Sequence, residues 1–413
     1  KSLGIDFIVC DHHLPGVLLP PAIAILDAKR KDCNYPYKEL CGCGVGFKLM
    51  HALCIKKDIP PEKLFQYLDL VAIAICSDIV PITDENRAMV FLGLQIINTN
   101  KRPGIKALSD VSGYKKLKEV THVVFGLGPR INAAGRIAHA KGAVQLLISK
   151  TIEEAETFAS ALNEKNATRK DFDSTITQEA LKVIATDSVL QNAKSTVLYN
   201  EGWHKGVIGI VASRCIENYY RPTIILTKSG EYAVGSARSV LGFDVHEAIV
   251  SCSDLLEQFG GHMYAAGLTL KLENVEAFKE AFENEVSSTI KPEQLIPQLS
   301  IDKKIDLSDI TEKFYRLIKQ MAPFGPQNMQ PIFVVENLKA STSVKLLKEV
   351  HLKLSLKASN GTVYEAIGFS MPQYFERIKK GDKFNLCFSI NENEFNGKTS
   401  LQLQIRDIKF VQE

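Results

Sequence analysis

Asp11, His12 and His13 follow the apolar run Ile5-Asp6-Phe7-Ile8-Val9-Cys10, so a carboxylate and two imidazoles stand where a buried strand should end. In open α/β sheets, ligands collect just outside the carboxyl ends of parallel strands. A neutral imidazole beside a carboxylate suits Mn²⁺, Zn²⁺ or Fe²⁺ better than Mg²⁺ alone. The second singular group is Asp78, which closes the apolar helical pattern Leu68-Asp-Leu-Val-Ala-Ile-Ala-Ile-Cys76. A carboxylate at a helix C-terminus faces the negative end of the dipole. Something cationic should offset it, either a nearby Lys or Arg, with Arg87 nine residues on the obvious candidate, or a metal ion. The presence of Asp11-His12-His13 in the same α/β segment favours the metal.

Two ligands do not complete a site that hydrolyses phosphodiesters, which usually holds two ions about 4 Å apart bridged by carboxylates. The other Asp-x-Asp, Asp171-Phe-Asp173, lies in a polar helical pattern rather than after an apolar strand, and is rejected as a ligand pair. The further acids are expected in preceding strands. A chain that opens on Lys1, with almost nothing before its first parallel strand, reads as the larger part of a longer protein.

Three glycine-punctuated stretches carry cations. Gly126-Leu-Gly-Pro-Arg130-Ile-Asn-Ala-Ala-Gly135-Arg136 combines glycines, which let backbone approach a ligand closely, with two arginines able to hold phosphate by paired bonds; a packed turn with surface arginines is the competing reading. Gly235-Ser236-Ala-Arg238 and Phe259-Gly260-Gly261-His262 suggest an anion nest of backbone N–H groups at Gly260 and Gly261, with Ser236, Arg238 and His262 as side-chain donors. Gly202-Trp203-His204-Lys205-Gly206 could bring an anion to a helix N-terminus, although the single tryptophan serves equally as a structural anchor. Cys41-Gly-Cys43 has no second pair to make a zinc site and reads as small residues where helix meets sheet.

The elements that must position these groups form an α/β protein with a β-barrel at its end. Segment 1–150 alternates short strands (Ile23–Leu26) with helical patterns at 44–56, 61–76 and 85–98. Residues 151–190 are charged and poor in large apolar residues, which predicts one or two long, mostly exposed connecting helices. Strand-helix-strand rhythm returns in 191–292, with strands at 196–199, 222–227, 232–237 and 266–272 and helices at 207–219, 245–252 and 275–286. Segment 293–413 alternates in and out at 351–357, 384–390 and 401–405 with turns at Asn360-Gly361 and Asn396-Gly397, the signature of a small Greek-key barrel of OB type.

With 45% hydrophobic and 23% charged residues, the 413-residue chain has an ordinary globular composition. No apolar stretch approaches a membrane span, so a cytoplasmic location is expected. Nine scattered cysteines suggest reduced thiols. Leu295 to Glu413 holds 17 Lys and Arg against 13 Asp and Glu, which accounts for the whole net charge of +3 and hints at a polyanion partner.

Taken in order, Asp11-His12-His13-Leu-Pro-Gly, Ser77-Asp78-Ile-Val-Pro-Ile with Glu85-Asn-Arg87, Gly128-Pro-Arg-Ile-Asn-Ala-Ala-Gly-Arg136, Trp203-His-Lys-Gly-Val-Ile-Gly-Ile-Val-Ala-Ser-Arg214, Gly235-Ser-Ala-Arg238 with Gly242-Phe-Asp244, and Phe259-Gly-Gly-His262-Met-Tyr-Ala-Ala-Gly267 resemble the RecJ family of the DHH phosphoesterase superfamily. Pro323-Phe-Gly-Pro326 and the closing barrel extend the resemblance to nearly the whole chain. It implies a DHH domain with part of its parallel sheet, a connecting helix, a DHH-associated domain and an OB domain. It also implies 5′-to-3′ digestion of single-stranded DNA to mononucleotides with Mn²⁺ or Mg²⁺, in repair and recombination. By motif, His12 and Asp78 would bind one metal, Asp11 would orient its neighbours and His13 would sit by the scissile phosphate. Arg136, Ser236, Arg238 and His262 would serve the strand and its 5′ phosphate, beside Arg130, Gly260 and Gly261 as the substrate-binding candidates of the glycine-rich stretches. A helicase and a single-strand-binding protein are the expected partners of a monomer.

The family's first two Asp-rich motifs have no counterpart here, so this polypeptide alone is expected to be inactive. A small-nucleotide phosphoesterase is one alternative, opposed by a separate barrel that only a polymer would need. A non-catalytic single-strand-binding scaffold is the other, opposed by retention of all four metal-site residues.

Overall fold

The computed structural model describes residues 3–16, 18–99, 101–137, 140–340, 343–395 and 397–411. The chain divides into two compact units. One comprises Lys1–Thr99, Leu117–Val123 and Leu299–Glu413, the other Asn100–Lys116 and Val124–Gln298.

In the first unit, strands Ile8–Cys10 and Ala24–Leu26 pair in parallel. Helix Gly42–Lys56 follows, its first turn capped by the Cys41 thiol, which accepts from the Gly44 N–H at 3.3 Å. That is the small-residue junction expected at Cys41-Gly-Cys43. The apolar pattern at 61–76 forms two helices, Glu62–Phe65 and Leu68–Asp78, rather than one. At the junction the Tyr67 N–H bonds to Leu64 O and the Leu70 N–H to Tyr67 O, so three-residue bonds tighten the turn and interrupt the α-ladder. Gly93 on helix Asp84–Thr99 brings the two helices close, since a Cβ there would lie 2.3 Å from Leu68 O.

The barrel of this unit begins with a strand in two halves. Phe333–Leu338 pairs with Phe384–Phe395, and Ser343–Leu347 pairs with His351–Lys357. The sheet then runs from His351–Lys357 through Val363–Gly368 to Lys398–Phe410, which lies parallel to its neighbour, and back to Phe384–Phe395. Ser343–Leu347 stands at one end of the order and Phe333–Leu338 next to the other, where the short strand Lys303–Lys304 pairs with it in parallel; helix Phe375–Lys379 lies between Val363–Gly368 and Phe384–Phe395, an arrangement that matches OB topology. Its core is apolar, with Phe384, Phe388, Leu352 and Leu354 fully buried. The hairpin at Leu347–Val350 turns through Lys348 and Glu349, both at positive φ, without the Asn-Gly or Gly that usually marks such a turn. Gly361 and Gly397 have positive φ as the turn assignment requires, while Asn396 lies outside the described residues.

In the second unit, a single 35-residue helix, Ile152–Thr186, starts at Thr151, whose hydroxyl accepts from the Glu154 N–H. It is less exposed than its composition suggests, burying Asn166 and Asp173 besides Leu162, Ile176 and Ile184. A five-stranded sheet follows in the order Thr196–Tyr199, Thr223–Ser229, Tyr232–Arg238, Ala265–Lys271, Gln258–His262. One face packs on Phe278 and Phe282 of helix Val275–Thr289. The other packs on helix Ile208–Asn218 and the end of the long helix. No described helix is long and apolar enough to cross a membrane.

Candidate functional site

The strand Ile8–Cys10 delivers Asp11–His13 just past its carboxyl end, and the Asp11 N–H still bonds to Leu26 O at 3.0 Å. Asp11 Oδ1 accepts from the backbone N–H groups of His12 at 2.7 Å and His13 at 3.3 Å, and stands 2.8 Å from His13 Nδ1. The triplet therefore folds around one oxygen, which brings the two imidazole centroids to 4.4 Å. The bond with His13 holds the Asp11 carboxyl below its ordinary value; desolvation opposes this, and the two backbone donors reinforce it.

His12 Nε2 lies 3.3 Å from Asp78 Oδ2. Asp78 is the last residue of its helix because Ile79 turns left-handed, with φ of 60°. That conformation costs an L-residue about 1–2 kcal/mol and is rare for a β-branched side chain. Arg87, the competing counter-charge, is engaged elsewhere: it donates to the carbonyls of Gln320, Met321 and Ala322, at the C-terminus of helix Glu312–Gln320.

These groups fit a divalent cation. Ligand atoms of Asp11, His12 and His13 all lie within 4.8 Å of one another. With metal–ligand bonds of about 2.1 Å, neighbouring ligand atoms stand about 3.0–3.4 Å apart, the range in which His12 Nε2 and Asp78 Oδ2 are found. A mixed nitrogen and carboxylate set suits Mn²⁺, Zn²⁺ or Fe²⁺ better than Mg²⁺ alone. Thiolates do not compete, because burial pushes Cys41 up to about 11 and Cys76 to about 12.

The second unit gathers the cationic residues. Across its sheet Arg238 faces Ala265, which faces His262, while Ser236 faces Gly267, which faces Gly260. Directly opposed residues share a face, and so do residues two apart on a strand. Ser236, Arg238 and His262 therefore border a floor made of Gly260 and Gly267. A Cβ at Gly260 would meet nothing within 4 Å, and one at Gly267 only Gly235 O at 4.0 Å, so the floor is open. Gly260 and Gly261 are thus part of a strand ladder, not the alternating turn of an anion nest, and the expected backbone N–H site is corrected accordingly. Gly261 matters for close approach, since a Cβ there would lie 2.3 Å from Ala265 O.

Gly209, in the first turn of helix Ile208–Asn218, lets the helix N-terminus meet the same face; a Cβ there would be 2.8 Å from both Arg238 Nη2 and Ser236 Oγ. Arg238 also donates to Ser236 Oγ at 3.0 Å and to Ala237 O at 2.7 Å. Burial lowers its guanidinium from the ordinary value, and the charge of Arg136 adds to the effect. Arg136 is exposed and donates to Gly206 O at 3.0 Å. Gly209 and Gly267 lie within the motifs quoted above, but no role for either is legible in the sequence because glycine in a helix or strand signals nothing by itself.

Arg130, expected to hold phosphate, is instead engaged within the fold. Its Nε donates to Asn163 Oδ1, Nη1 to Gly126 O and Nη2 to Val111 O, at 2.6 to 3.0 Å. It locks helices together, in keeping with the packed-turn reading. Trp203 is likewise an anchor, buried with its indole N–H on Glu179. The rejected Asp173 pairs with Arg214.

Family models match three stretches: the DHH family N-terminal domain over residues 1–75, the DHHA1 domain over 192–288 and the RecJ OB domain over 301–407. The single-stranded-DNA-specific exonuclease RecJ of Bacillus subtilis is 37% identical over 412 residues, covering 98% of this chain and 51% of the relative. Its namesake from Salmonella typhimurium is 34% identical over 430 residues, covering 99% of this chain and 74% of the relative. This chain thus spans about half the length of the first and three quarters of the second. The crystal structure of RecJ in complex with Mn²⁺ from Thermus thermophilus superposes with a TM-score of 0.84 at 28% identity, covering 100% of this chain and 59% of that one. A Mg²⁺ complex from the same organism gives 0.82 at 27% identity, covering 99% and 61%.

Proposed function

Since this chain belongs to the RecJ family, we propose that it carries the machinery of a metal-dependent exonuclease that hydrolyses single-stranded DNA from the 5′ end to mononucleotides, in repair and recombination. The observation that carries this reading is the 3.3 Å approach of His12 to Asp78, two donors brought together from the end of a strand and the end of a helix. They would hold one Mn²⁺ or Mg²⁺, which when bound polarises a phosphoryl oxygen and makes hydroxide available at neutral pH. Asp11 holds the triplet in shape, and His13, its ring exposed and its Nδ1 tied to Asp11, meets the scissile phosphate.

Arg136, Ser236, Arg238 and His262 hold the strand and its 5′ phosphate, with Gly260 and Gly267 leaving room for it. The four-part division at 1–150, 151–190, 191–292 and 293–413 assigns cleavage, connection, strand binding and strand retention. The barrel suits a polymer rather than a dinucleotide, which has nothing for a separate OB domain to grip. Among the described residues one cluster has metal-ligand spacing. We infer that the 413-residue chain by itself supplies ligands for one ion and is inactive, because the family's two Asp-rich motifs have no counterpart in it.

The test compares digestion of 5′-phosphorylated and unphosphorylated single strands by the complete protein in Mn²⁺, with and without Arg238→Ala. The expected result is loss of the preference for phosphorylated ends. Equal loss on both substrates contradicts the end-recognition role, and robust digestion by the 413-residue chain alone contradicts its inactivity.

A further inference from the structure

On the long helix, Asn166, Arg169, Asp173 and Thr177 recur at spacings of three and four, which places them on one stripe. The stripe is turned inward: Asn166 is 2% exposed and Asp173 1%. Arg214 Nε donates to both Asp173 oxygens, at 2.9 and 3.1 Å, and Arg169 Nη1 stands 3.8 Å from the same carboxylate. The acid is thus taken up mainly by Arg214. Asn166 Oδ1, Arg169 Nε and Thr177 Oγ1 are buried and make no hydrogen bond. A buried polar atom left unpaired costs on the order of 1–3 kcal/mol, a cost that a ligand can offset.

The electrostatics agree. Burial lowers the Arg169 guanidinium from its ordinary value; Asp173 opposes the effect, and Arg136 and Arg214 add to it by repulsion. Arg136 bears in the same way on Arg238. Arg136, Arg169, Arg214 and Arg238, from four different elements, are thus linked by mutual repulsion, while the Asp173 carboxylate beside Arg169 is already bound by Arg214. An anion with several oxygens would relieve the repulsion and accept the free N–H.

We propose that Arg169, oriented by the Asp173–Arg214 pair, is an additional phosphate contact of the single strand, and that the connecting helix is part of the strand-binding surface. This rests on the strand-binding reading of Arg136 and Arg238. Asp173 and Arg214 are positioning residues.

The test is binding of the 413-residue chain to a 5′-phosphorylated oligothymidylate in chelator, measured by fluorescence anisotropy across a series of KCl concentrations. Each single-strand phosphate contact contributes about 0.7 to the slope of log affinity against log salt. Arg169→Gln should flatten the slope by about that amount, as should Arg238→Gln, and Arg169→Lys should keep the slope while weakening binding several-fold. If Arg238→Gln flattens the slope and Arg169→Gln does not, the inference is overturned and the strand-binding reading stands. If wild-type affinity is indifferent to salt, or Arg238→Gln changes nothing, the reading itself fails. Should Arg169→Gln not fold, Arg169→Lys decides: binding as tight as wild type overturns the inference.

Discussion

Gly267 and Gly235 lie on neighbouring strands and do opposite things. A Cβ at Gly235 would lie 2.5 Å from Leu226 Cδ2 and 3.0 Å from Leu268 Cδ2, so that glycine serves the core. At Gly267 a Cβ meets open space beside Ser236, so that glycine serves whatever lies on the sheet. Gly267→Leu should therefore leave folding stability within about 1 kcal/mol and lower single-strand affinity by about tenfold, equivalent to about 1.4 kcal/mol, as read by thermal melting and anisotropy. Undiminished affinity would rule out a glycine floor beneath the strand. At this scale the metal-site candidates are legible because Asp11, His12 and His13 are neighbours in sequence and Asp78 ends an unmistakable apolar helix. Arg130 is not, because what engages it is the carbonyls of Val111 and Gly126 and an amide of Asn163, whose convergence is a tertiary matter. Arg87 looks like a partner for Asp78 in sequence for the same reason, its bonds lying more than two hundred residues away.

Elements are legible where periodicity is strong and obscure where glycine erases it. Strand His351–Lys357 has the expected bounds, while strand Gln258–His262 resembles a turn because Gly260-Gly261 breaks the alternation of side chains on which a strand is recognised. The polar stripe of the long helix reads as solvated surface, since composition does not reveal that Arg214 arrives from another helix to meet Asp173. One junction between elements is testable by acid. Glu283, on helix Val275–Thr289, accepts from the Lys194 and Ser195 N–H groups at 2.9 and 2.8 Å and from the Ser287 hydroxyl at 2.8 Å, which ties the helix to the start of strand Thr196–Tyr199. Burial raises its pKa, but the bonds from Ser195, Lys194 and Ser287 prevail and hold it below the ordinary value. A depressed folded pKa means stability that is present above the ordinary carboxylate range and lost as pH falls through the folded value. Glu283→Gln should thus cost about 1–3 kcal/mol at neutral pH. The gap from wild type in urea melts should close as the solution is acidified, and a gap that widens would contradict the assignment.

At the scale of the molecule, α/β character, a long helical connection and a closing barrel can all be read from changes of period along the chain. What the sequence does not show is the interleaving by which 117–123 joins the first unit while 100–116 joins the second, because it depends on tertiary packing rather than on pattern. The surplus of positive charge after Leu295 falls within the stretch matched by the RecJ OB domain, where a strand-retaining role would need it. The proposed nuclease function turns on something smaller than any of these units: one divalent ion that His12 and Asp78 would share. The direct measurement is Mn²⁺ uptake by the 413-residue chain, followed by the electron paramagnetic resonance signal of the free ion, for wild type, His12→Ala, Asp78→Ala and the double variant. Two ligands of one ion are not independent, so each single substitution should weaken Mn²⁺ by at least about tenfold, or about 1.4 kcal/mol, and the double variant should be little worse than the weaker single. A wild-type chain that takes up no Mn²⁺, or either single variant binding it as wild type does, would contradict the shared site.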